Sequence, residues 1–193
     1  MKTNWLFIGL GVAVAAAAIA GGIAVLCRKG PRQTSDEDID GGVVKRYWRD
    51  APKVIKSAEI AEFHYEVSLF AVCDVDDLGY RVYTLDAVTK DGDVLIKYAW
   101  RERGGESDKA EYRTDASFMV RLQQIILKYD FAQYNGYYHT VSGLPDMYGE
   151  SLDIVYASGE HITVHDNQSG FLPIDAKREL IMLFGAATKL ENE

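Results

Sequence analysis

From residue 59 the chain alternates apolar and polar positions. "EIAEFHYEVSLFAVC" puts Phe63, Tyr65, Val67, Leu69 and Ala71 on one side and Glu62, His64, Glu66 and Ser68 on the other. Period two is the signature of a half-buried strand. After a turn at "DVDDLG", a second strand, "YRVYTLDAVTK", runs into Asp91–Gly92, a strong hairpin signal. "VLIKYAWR" then aligns Val94, Ile96, Tyr98 and Trp100, completing an antiparallel meander. The period changes in "TDASFMVRLQQIILKYD". There Phe118, Leu122, Ile125, Ile126 and Tyr129 recur at helical spacing, with Thr114 as N-cap. "SLDIVYA" and "HITVH" predict a second hairpin around Ser158–Gly159. Pro173 suits the first turn of a helix whose apolar positions are 176, 180, 183, 184 and 187. The predicted order is β-β-β-α-β-β-α. That is an α+β domain, one antiparallel sheet of about five strands with two helices on one face.

A different pattern precedes this. Residues 5–26, "WLFIGLGVAVAAAAIAGGIAVL", carry no charge. As a helix they would reach roughly 33 Å, enough to cross a hydrocarbon core. They read as a single-pass transmembrane anchor ahead of the domain. A cleaved signal peptide is the alternative, since "AIAGG" offers a cleavage site, but its apolar stretch is ordinarily only about 7–15 residues. Lys2 precedes the span while Arg28, Lys29 and Arg32 follow it, which places the domain in the cytoplasm. An extracellular or secreted domain is the competing placement. Gly9, Ala13, Ala17 and Gly21 form a small-residue stripe through which the anchor could homodimerise. The organisation read from this is an anchor at 5–26, a charged flexible linker at 27–56, and a globular domain at 57–190.

Charge narrows the partners. The net charge is −8, and residues 57–193 hold 12 Lys/Arg against 24 Asp/Glu. So acidic a domain has no footprint for phosphate backbones, which argues against nucleic acid. "DEDIDG" matches the first half of a calcium loop, but Tyr47 stands where the closing glutamate belongs. A solvated acidic linker is the better reading. The basic segment around Tyr47 and Trp48 reads as a lead-in to the first strand, ahead of a membrane-surface role.

Candidate chemistry is sparse. His161 and His165 would share a metal on a helix, but on a strand their Cα atoms lie roughly 13 Å apart. No metal and no cofactor is expected. Cys27 adjoins the anchor, after Leu26 rather than the small residue a lipid-anchor site needs. Cys73 ends an apolar strand face, which suggests an inert thiol and leaves no disulfide within the domain. No serine nucleophile elbow and no phosphate-binding glycine loop is present.

The dense stretch is "NGYYHTVSGLP" and its surroundings. Asn135, Tyr137, Tyr138, His139, Asp146, Tyr148 and Glu150 are the candidate binding residues. Tyrosines suit a contact surface, and they suit equally a loop that plugs a core. Two functions follow from this. One is a non-catalytic, membrane-tethered domain that binds a protein or peptide partner. The other is a small hydrolase or transferase using His139 with Asp146 or Glu150. The isolated histidine, with no nucleophile nearby, favours the first. The segments "NGYYHTVSGLP", "GESLDIVYASGEHI" and "NQSGFLP" resemble an uncharacterised bacterial family of membrane-anchored or secreted small α+β domains. The resemblance covers about the last 80 residues. It implies no activity, because none is assigned to that family.

Overall fold

The computed structural model describes residues 38–40, 42–70, 77–102, 104–142 and 149–187. The strands are β1 (Asp38–Asp40), β2 (Val43–Tyr47), β3 (Ile60–Ser68), β4 (Arg81–Lys90), β5 (Asp93–Glu102) and β6 (Ser107–Thr114). Helix α1 (Ser117–Lys128) and a 3-10 turn (Phe131–Tyr134) lead to β7 (Tyr137–Val141), β8 (Glu150–Tyr156), β9 (His161–Asp166) and helix α2 (Ile174–Ala187). They build one sheet in the order β1-β2-β7-β9-β8-β3-β4-β5-β6.

This corrects the expected architecture in two ways. The sheet has nine strands, counting the three-residue β1 at its edge, rather than about five. It is also mixed, because β7 and β9 run parallel (Tyr138 opposite His165, His139 opposite Asp166) while the other pairs are antiparallel. The missed strands lie toward the sheet margins or between glycine-rich turns, where burial on one face is weak and alternation carries little hydrophobic signal. The segment expected to be a linker, 27–56, also contributes strands: β2 pairs along its whole length with β7. The expected anchor at 5–26, Cys27 and Cys73 lie outside the described residues. Among the described residues no helix is long and apolar enough to cross a membrane.

The long alternating strands bury one face. Phe63, Tyr65 and Val67 of β3, Leu85 and Ala87 of β4, Ile96 of β5, Leu152 and Ile154 of β8, and Ile162 and Val164 of β9 meet in one core. Phe118, Leu122 and Ile126 of α1 and Ala176, Leu180 and Phe184 of α2 close it. The rings of Phe118 and Phe184 meet edge to face at 5.0 Å, which ties the two helices over the sheet. Helix α1 begins at Ser117, not at Thr114, which belongs to β6. Its first turn is held by Asp115, whose carboxylate accepts the Ser117 N–H at 2.7 Å. Asp91 and Gly92 both adopt positive φ, as the Asp–Gly hairpin between β4 and β5 requires. The opposite, outer face of the sheet carries no helix among the described residues.

Candidate functional site

Register brings three ionisable residues into one row on the helix side of the sheet. His139 of β7 is opposite Asp166 of β9, and Asp166 is opposite Glu150 of β8. All three are buried. His139 therefore meets Asp166, with Nδ1 3.1 Å from Oδ2, while Glu150 lies one strand further on. The approach is badly aligned for hydrogen bonding, and the Nδ1 atom has no well-formed partner. Asp146 and Tyr148 lie outside the described residues.

Each carboxylate is engaged by its own chain. Glu150 Oε1 accepts the Tyr65 hydroxyl at 2.5 Å, and Oε2 accepts Lys177 Nζ at 2.7 Å. The same Oε2 takes the backbone N–H groups of Phe171 (2.7 Å) and Leu172 (3.2 Å). Glu150 and Lys177 are both almost wholly removed from solvent. Asp166 Oδ1 accepts the N–H groups of Gln168 and Ser169, both at 2.8 Å. Its Oδ2 accepts the hydroxyls of Ser169 (3.1 Å) and Tyr137 (3.2 Å). Buried acids bonded this extensively bind the segment 166–172 to the sheet, and their bonds go to their own chain.

The electrostatics agree. Burial, and then the Glu150 carboxylate, hold the Tyr65 phenol well above its ordinary value. Tyr137 is pushed up to about 12 by burial and by the Asp166 carboxylate. For Asp166 burial is the largest single influence and raises the pKa. The Ser169 and Gln168 N–H groups, with His139, together outweigh it and leave the carboxyl below its ordinary value. Both tyrosines are thus kept as neutral donors, and Asp166 is kept as an anion.

Two asparagines complete the framework. Asn135 is buried, and its amide donates to the carbonyls of Pro52 and His161, each at 2.9 Å, while its oxygen accepts the Thr163 N–H at 2.9 Å. Lys53 Nζ donates to the Asn135 carbonyl. Asn167 mimics a strand, accepting from Val141 N at 2.7 Å and donating to Val141 O at 3.0 Å.

Tyr138 points the other way. On the outer face its ring stacks on His165 at 5.0 Å, with Arg46 6.0 Å from its centroid. Tyr137 and Tyr138 are thus split between the two faces, and both are half-buried. His161 and His165 occupy the outer face too, opposite Val155 and Ser151. Among the described residues no group of His, Cys, Asp or Glu is placed to hold a metal ion. Near the centre of that face His64 Nδ1 contacts Asp86 Oδ1 at 2.5 Å, and this bond raises the His64 pKa despite partial burial.

Asp166, Lys177, Tyr65 and Asn167 are site residues that the sequence alone does not single out. Lys177 does leave a signal, since with Leu180, Ile181 and Phe184 it falls on the buried side of α2 at helical spacing. Compared with known proteins, the chain matches no family model, no curated sequence and no solved structure.

Proposed function

We propose that this chain is a membrane-tethered, non-catalytic interaction domain that binds a protein or peptide partner on the outer face of its sheet. The observation that carries the reading is the division of roles between the two faces. On the helix side, Asn135, Glu150 and Asp166 are buried and bonded to their own chain. On the outer side, Glu62 lies opposite both Val88 and Val155, which stay 38% and 39% exposed. Asp86 and Asp153 lie two positions from them along the same strands, with Glu66 further along β3. Acids around exposed aliphatics complement a partner that offers basic and aliphatic groups. The hydrolase reading loses support from the same geometry, because Glu150 is bonded to Tyr65 and Lys177 rather than to His139. The charge-free stretch 5–26 supports the tether, and Arg28, Lys29 and Arg32 support a cytoplasmic domain.

Photo-crosslinking residues introduced singly at Tyr138, Val155 and Val120 of the full chain, in native membranes, test this. Discrete adducts from the two outer-face positions, lost on Glu66→Lys/Asp153→Lys, are expected. An adduct confined to Val120, which is exposed on α1, would contradict the reading, as would no adduct anywhere.

A further inference from the structure

Among the described residues β6 closes one margin of the sheet, with β5 on one side and no strand on the other. Glu102 donates its N–H to the Glu106 carbonyl across the β5–β6 turn at 2.8 Å, which fixes the bonding parity of the pair. Even-numbered residues of β6 bond to β5, and Ser107, Lys109, Glu111 and Arg113 turn their backbone groups outward. The Lys109 N–H is capped locally by the Asp108 carboxylate at 2.8 Å, as suits an open edge. An edge of this length is a template for another strand.

The charge pattern of that edge is self-complementary in one register. In an antiparallel two-fold pairing centred on Ala110, Lys109 of each copy faces Glu111 of the other. Ser107 faces Arg113, and Asp108 faces Tyr112. The outward backbone groups at 107, 109, 111 and 113 meet as hydrogen-bonded pairs, so side chains and backbone agree. Moving the centre to Glu111 sets Glu111 against itself and Lys109 against Arg113. Moving it to Lys109 sets Lys109 against itself. Like charges directly opposite destabilise a pair. Nothing bulky stands at the axis, where Ala110 is half-buried and Asp108 is exposed. Glu111 leans toward Lys97 of β5 at only 3.9 Å, with both side chains largely in water, so it can turn to a second partner.

We infer that β6 pairs antiparallel with β6 of a second copy of this chain, across a two-fold axis at Ala110, extending the sheet through both. This goes beyond the partner-binding reading, because it uses the sheet edge rather than the outer face. It also differs from an anchor-mediated dimer, which would be indifferent to the charges of β6.

The test is register-specific and uses the full chain in membranes, in a Cys27→Ser/Cys73→Ser background. Facing Ala110 residues form a non-hydrogen-bonded pair with Cα atoms about 4.5 Å apart, within disulfide reach. Ala110→Cys should therefore give a covalent dimer on mild oxidation, while Lys109→Cys, displaced from its own copy, should not. Adding Lys109→Glu to Ala110→Cys should slow crosslinking by about tenfold, and further adding Glu111→Lys should restore it. Equal crosslinking at Ala110 and Lys109, no crosslinking at either, or indifference to the charge exchange would overturn the proposal. Because restoration requires a second substitution in the same strand, misfolding of the single variant cannot imitate it.

Discussion

At the scale of single residues, the buried pair Glu150–Lys177 decides the character of the polar centre. Removing one partner of such a pair leaves an uncompensated charge, which typically costs about 3–5 kcal/mol. Lys177→Met should destabilise the domain by that order, and so should Glu150→Gln, which keeps the shape but not the charge. Denaturant unfolding of the two single variants and the double would check this, with the double less destabilised than the sum of the singles. Asp166 makes the fold sensitive to acid. Its folded-state pKa lies below the ordinary carboxyl value, so its stabilisation is present above that value and lost as the pH falls through the folded one. Asp166→Asn keeps an oxygen for Gln168 and Ser169 but cannot titrate. Its stability should fall less steeply than the parent's below about pH 4; parallel acid limbs would show that Asp166 does not carry the acid sensitivity.

At the scale of elements, the turns before and after β8 show how close the chain comes to itself. Gly149 has φ +100°, and a Cβ there would lie 2.1 Å from the Asp166 carbonyl oxygen. Gly159, in the β8–β9 hairpin, has φ +85° but open space around it. Gly159→Ala should cost about 1–2 kcal/mol, the conformational penalty alone. Gly149→Ala meets fixed backbone as well and should cost about 3 kcal/mol or more. Thermal melts of the two variants rank them, and equal losses would mean that the chain at Asp166 and Asn167 yields to a Cβ at Gly149 without cost.

The same elements show what the sequence could and could not express. β3, β4, β5, β8 and β9 were legible because each turns alternate apolar residues toward the core, which leaves period two in the residues. The helices were legible through Phe118, Leu122, Leu180 and Phe184. β6 was not, because a margin strand spaces its charges along a solvated edge and reads as polar loop. β7 was hidden for another reason: Tyr137 and Tyr138 go to opposite faces, so their aromatic density looked like a loop. Its parallel pairing with β9 depends on chain segments far apart, which no local pattern reports. Of the candidate site, the burial of Asn135 and Glu150 was invisible, since the partners that make it tolerable are the distant Pro52, Tyr65 and Lys177.

At the scale of the whole molecule, the proposal joins a tether to an acidic domain with two working sides. Full-length chain should sediment with membranes and resist extraction by high salt, while a chain lacking residues 1–33 should remain in the supernatant. Full-length protein in the supernatant would remove the tether. The central claim is that the helix-side polar cluster holds the fold while the outer face makes contact. Its most direct measurement is a joint one, melting temperature together with crosslink yield at Val155, for Glu150→Gln and for Tyr138→Ala. Glu150→Gln should lower the melting temperature by several degrees, and its adduct should persist below that temperature. Tyr138→Ala should melt close to the parent and lose the adduct. A stable Glu150→Gln variant that has lost the adduct, beside a destabilised Tyr138→Ala variant that retains it, would contradict the account.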